Sequence, residues 1–166
     1  MILNWSFGTF GFFLIPFYIA TVNGNIFIIA MAMGAAEILA SIATSIVSKY
    51  FSLKKAMFAF MILSCIASSI LIFVTEGTIT LAALILLLMF AVTSAFDVAY
   101  LINVELFPTL YLSTAYGACN IIGRFISIMS PIFAFIPHPW PMVILVVFSA
   151  ICAVATLFLV KVRKDE

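Results

Sequence analysis

Apolar residues run along this chain in six long blocks, at about residues 4–21, 25–47, 55–74, 78–103, 112–136 and 140–160, each divided from the next by a short polar or proline-bearing break. Each block approaches or exceeds the roughly 20 residues that an α-helix needs to cross a bilayer, so the pattern predicts six transmembrane helices. The breaks read Val22-Asn23-Gly24, Ser48 to Lys54, Thr75-Glu76-Gly77, Val104 to Tyr111 and Pro137-His138-Pro139, where glycine, proline and polar side chains punctuate. A transmembrane barrel is excluded, because the blocks are too long and do not alternate apolar with polar. The expected fold is an all-α integral membrane bundle of six transmembrane helices, a single domain over residues 1–166.

Composition agrees with the pattern. The chain is 67% hydrophobic and 8% charged, against roughly 45–50% and 25% in soluble domains. Seven Lys and Arg balance six Asp and Glu, and there is no basic patch with interleaved aromatics. A nucleic-acid partner is therefore not expected. Lys49, Lys54 and Lys55 stand between the second and third blocks, and Lys161, Arg163 and Lys164 follow the sixth. Four spans separate the two clusters, so they share a side, and the positive-inside bias makes it the cytoplasmic or matrix side, with both termini there. The first block has no basic run before it and no clean cleavage pattern after it, so it is read as a retained helix rather than a signal peptide. On this topology Asn4-Trp5-Ser6, which fits a glycosylation pattern, falls at the inner face and is set aside.

Within the blocks the second carries small residues, Gly34, Ala35, Ala36, Ala40, Ser41, Ala43 and Thr44, of the kind that let membrane helices approach closely. Pro16 and Pro131 are expected to kink the first and fifth helices. Three ionisable residues lie inside spans: Glu37, Asp97 and Arg124. A charge near the bilayer centre costs at least about 2.5–3.5 kcal/mol, so each is expected to face the protein interior or a wet cavity, usually with a partner. Asp97 and Arg124 are placed to meet across the fourth and fifth helices, which leaves Glu37 to find its own partner or a proton. A structural salt bridge is the competing reading.

Enzymatic chemistry finds no footing: there is no Ser/His/Asp set, no glycine-rich phosphate loop and no metal-ligand cluster. Cys65, Cys119 and Cys152 sit singly in apolar blocks and are expected to be small buried hydrophobes, with neither a disulfide nor a metal. His138, between two prolines, is read as a solvated loop residue. No cofactor is expected.

Three stretches in order carry a resemblance. Glu105-Leu106-Phe107-Pro108-Thr109 is similar to the Glu-Leu-Tyr-Pro-Thr signature of the organic ion transporters of the major facilitator superfamily. Arg124 to Pro131 resembles their Arg-Leu-Gly-Gly-Ile-Leu-Ala-Pro in spacing. Gly24-Asn25 followed by Glu37-Ile38 resembles their Gly-Asn and Glu-Ile-Pro at the same separation. Together they cover nearly the whole chain and correspond to the second, six-helix half of that family. The resemblance implies that Trp5 and Phe12 are substrate-facing aromatics, that Glu37 is the family's glutamate of helix eight, and that Asp97 stands where a Gln or Glu lines the site. It also implies that Arg124 occupies a position where anion transporters carry Arg. An arginine presents a planar fork to a carboxylate or sulfate, which leans the expectation towards a small organic anion. The loop from Ser48 to Lys55 departs from the family's Asp-Arg-x-Gly-Arg-Arg by keeping only the closing basic pair.

Two functions follow. In the first, the chain is one half of an alternating-access carrier in the lipid bilayer, completed by a second six-helix half that is another chain or a twin copy, or it is a fragment of a full-length carrier. In the second it is a non-transporting accessory subunit of a larger membrane complex derived from a transporter half, supported by the abrupt start at Met1, the eroded loop and the missing first half. The host membrane is the plasma membrane or an organelle membrane such as the mitochondrial inner membrane.

Overall fold

The computed structural model describes residues 1–21, 25–74 and 77–158. Gly24, Glu76 and the basic run Lys161, Arg163 and Lys164 lie outside them. The described residues form α1 (Ile2–Ile19), α2 (Ile26–Tyr50), α3 (Leu53–Phe73), α4 (Thr78–Leu106), α5 (Thr109–Ser127), α6 (Ser130–Ala134) and α7 (Trp140–Leu157). With α5 and α6 counted as one interrupted span, six helices are long and apolar enough to cross a membrane.

Local chemistry sets the ends. The Asn25 side chain accepts the Phe27 N–H and caps α2. Gly77, at φ +92°, turns the chain through the left-handed region just before α4. Phe107 is pushed into extended backbone ahead of Pro108, so α4 stops one residue short of it. Glu105 therefore belongs to the last turn of α4, not to a loop. The fifth span is broken rather than simply kinked. Pro131 has no N–H to return to Ser127 and its ring crowds that carbonyl, and the Met129 N–H bonds Ile126 instead of a residue one full turn back. Pro16, by contrast, leaves α1 continuous.

Helices α1, α4, α3 and α7 contact one another in a ring, while α2 leans on α4 and α5 leans on α1. The two leaning helices are accordingly the least buried spans, and α1 and α4 the most buried. Lipid tails are as apolar as leucine, so close packing rather than water exclusion must hold such a bundle. The chain supplies it with small residues at crossings: Gly8 lies against Phe96 and Gly11 against Val92. Of the small residues in α2, Ala36, Ala40 and Thr44 form the buried stripe, whereas Gly34 and Ala35 face outward. Phe7, Phe10, Phe133 and Phe148 stack edge-on or tilted across α1, α6 and α7.

Some polar side chains are satisfied on their own helix, as when Thr156 donates to the Cys152 carbonyl, while the buried hydroxyls of Ser6, Ser64, Thr93 and Ser94 and the Asn103 amide have no partner among the described residues. A few cross: Asn4 donates to Thr156 Oγ1 at 3.1 Å and Ser130 donates to the Phe10 carbonyl at 3.1 Å. Asn4 is thus buried and engaged, unavailable for glycosylation. Lys54 Nζ donates to the Leu157 carbonyl at 2.7 Å, so the α2–α3 turn and the end of α7 share one end of the bundle.

His138 is exposed yet is not merely solvated. Its Nε2 donates to the Ile72 carbonyl at 3.1 Å, and its Nδ1 meets the Tyr18 hydroxyl at 3.0 Å. It ties the far ends of α1 and α3 to the turn before α7. His138→Ala removes both bonds and should lower stability by about 1–3 kcal/mol, with Tyr18→Phe costing less. Thermal melting of the detergent-solubilised protein measures this, and an unshifted midpoint for His138→Ala would remove the clamp from the account.

Candidate functional site

The ionisable residues of the spans come from the two leaning helices and the central α4. Asp97, half-buried on α4, takes a hydrogen bond from the Ser41 side chain of α2. Glu37 stands one helical turn from Ser41 on the same stripe of α2 and is half-buried. Arg124 is exposed on α5, and its guanidinium carbon lies 6.0 Å from the centre of the Phe13 ring of α1, a cation–π distance. Among the described residues no ion pair joins Asp97 to Arg124, and none is formed by Glu37. The expected balanced pair is replaced by a carboxylate on a hydroxyl and a guanidinium on a ring.

Between these charges lies an aromatic group. Trp5, fully buried, meets Tyr100 at 4.2 Å, Tyr116 at 5.5 Å and Phe96 at 5.6 Å between ring centres. Tyr116 donates to the Tyr100 carbonyl at 2.9 Å. The Tyr100 ring lies tilted against that of Tyr116, 5.7 Å between centres. Trp5 underlies this surface rather than forming it. Phe12 is half-buried on α1, its ring 5.6 Å from that of Phe13.

Sequence reasoning passed over Tyr100, Tyr116 and Phe13. A signal was present, because Tyr116, Asn120 and Arg124 recur every four residues and so share a face of α5. The arrangement brings a guanidinium, two carboxylates and aromatic side chains together from α1, α2, α4 and α5. Two clefts lie elsewhere: one of about 500 Å³ beside Ser48, Lys54 and Glu105, and one of about 670 Å³ between the start of α1 and α5, lined by Leu3, Tyr111 and Cys119. Neither includes Glu37, Asp97 or Arg124. Among the described residues no three His, Cys, Asp or Glu gather as a metal site.

No protein-family profile matches the chain. Solute carrier family 22 member 16 of Xenopus laevis is 23% identical over 162 residues, covering 95% of this chain and 28% of that protein. Organic cation/carnitine transporter 2 of Mus musculus is 24% identical over 168 residues, covering 95% and 29%, and solute carrier family 22 member 21 of Mus musculus is 24% identical over 164 residues, covering 95% and 28%. The chain spans well under a third of the length of these relatives, which by their names are transporters and not enzymes. Over six spans and nearly its whole length, the chain is thus similar, at low identity, to members of solute carrier family 22 and to an organic cation/carnitine transporter.

Proposed function

We propose that the chain forms one wall of a carrier for a small organic ion, with an organic anion as the favoured cargo. The observation that carries this is Arg124: a guanidinium held over Phe13 on an exposed face, with no carboxylate partner among the described residues. Charged groups inside spans are costly and mark ion pathways, and substrates of such carriers bind near the midplane between two helical walls. Arg124 receives the carboxylate or sulfate, Glu37 and Asp97 take a cationic group or a proton, and Phe12, with Trp5 supporting Tyr100, shapes the apolar part. One relative, named for organic cations and carnitine, supports the organic-ion class and keeps a cationic or zwitterionic cargo in the comparison. The substrate face closes against a second six-helix wall, and both termini face the cytoplasm or matrix.

A second reading is a scaffold within a larger membrane assembly, favoured by the complete burial of Trp5 and by the loop at Ser48 to Lys55 that lacks the family's Asp and Gly. Reconstitution into proteoliposomes separates the two. Labelled organic anions, cations and zwitterions are offered in turn, and accumulation of anions above empty vesicles is expected. Failure to take up any of the three, with the protein migrating in a large particle of unrelated subunits, favours the scaffold.

A further inference from the structure

We infer that the second wall is another copy of this same chain, joined by reciprocal pairs between Glu37 of one copy and Arg124 of the other. The inference rests on the half-carrier reading for its purpose but on separate observations for its geometry. Glu37 and Arg124 are of opposite sign, neither has an ion-pair partner among the described residues, and they stand on the two least buried spans. Those spans lean on different central helices, α2 on α4 and α5 on α1, so the two charges sit on opposite flanks of the face. Their depths agree: Glu37 is thirteen residues from the Tyr50 end of α2 and Arg124 fifteen from the Thr109 end of α5, about 20 Å and 23 Å at the helical rise.

Both measurements start from the same side, because α2 ends and α5 begins at the end where the α2–α3 turn and the α4–α5 turn lie. A two-fold axis parallel to the helices keeps depth and exchanges left for right. It sets α2 opposite the partner's α5, and α5 opposite the partner's α2, so each Glu37 meets an Arg124 and the contact is made twice. An isologous interface needs this self-complementarity, in which residue i meets j and j meets i. Apolar residues exposed beside the two charges, Ile38 on α2 and Ile121 on α5, complete the seam. Arg124 retains N–H donors for a substrate carboxylate beside the partner glutamate.

The test uses two differently tagged copies of the full chain in one membrane. Wild-type copies should co-purify in mild detergent as a particle of twice 18.2 kDa. Glu37→Arg alone and Arg124→Glu alone set like charges against each other twice, and self-association should fall by on the order of tenfold or more. Co-expressing the two single variants restores opposite pairs across the interface, and heterodimers should recover to near the wild-type yield. Rescue only when both changes are in one chain would mean an intrachain pair and would overturn the inference. Single variants that pair as well as wild type, wild-type copies that never co-purify, or a different six-helix chain in the particle would do the same. Should the variants not accumulate, the wild-type co-purification decides alone. Twin particles that transport nothing keep the dimer and sink the carrier; transport by a particle without a twin does the reverse.

Discussion

Arg124→Ala should cut uptake of a labelled organic anion sharply while the protein still inserts and melts near the wild-type temperature. The side chain lies on the exposed face of α5 and leaves no buried cavity when removed, so stability has little to lose. Binding has much more at stake. A charge-assisted hydrogen bond contributes about 1.5–3 kcal/mol, and loss of a bidentate pair in a desolvated site reaches about 2–5 kcal/mol, so uptake at low substrate should drop between roughly tenfold and several thousandfold. Arg124→Lys keeps the charge but loses the planar fork and should fall between the two. Initial rates in proteoliposomes with equal protein content give the answer, and wild-type rates for Arg124→Ala would remove this residue from the site.

The other large effect is structural. A Cβ on Gly8 would stand 2.4 Å from Phe96 Cδ2, 2.8 Å from its Cγ and 2.9 Å from its Cβ. The last of these atoms is fixed to the α4 backbone, so swinging the ring does not relieve the clash. Helices α1 and α4 must part, and the edge-on contact of Phe96 with Trp5 goes with them. Gly8→Ala gains up to about 1 kcal/mol of helix propensity, but overpacking costs about 1–3 kcal/mol and more for a branched residue. A net loss is therefore expected for alanine and a larger one for Gly8→Val. Gly34→Ala, with nothing within 4 Å of the added carbon, gains the propensity alone and should melt no lower than wild type. Melting the three variants side by side checks the crossing, and equal midpoints for Gly8→Val and wild type would contradict it.

How much of this was legible before the fold depended on the range of the interaction. Six spans follow from block length and hydropathy because lipid demands internally bonded backbone over a fixed thickness, and the stop before Pro108 follows from a clash between neighbouring residues. Pro16 and Pro131 could not be told apart in the same way. One leaves its helix whole and the other splits it, and the split is accompanied by the Ser130 bond to the Phe10 carbonyl, a contact between residues far apart in sequence. Glu37, Asp97 and Arg124 stood out because their cost in a membrane is intrinsic. Their neighbours did not, since Ser41 against Asp97 and Phe13 against Arg124 are set by how the helices rotate about their own axes. Tyr116 shared a four-residue repeat with Arg124, but Tyr100, in an apolar block, carried no signal of its own although it packs on Trp5 and Tyr116. His138 was read from its flanking prolines as solvated, and only the positions of Tyr18 and Ile72 give it work.

The clamp at His138 and the latch at Lys54 sit at opposite ends of the bundle, and their mechanical effect is joint. One ties α1, α3 and the start of α7; the other ties the α2–α3 turn to the end of α7. The back of the bundle is thereby braced like a frame pinned at both edges. Splaying the helices at either edge must therefore break one of these two ties, while α2, which packs chiefly on α4, lies outside the pinned frame.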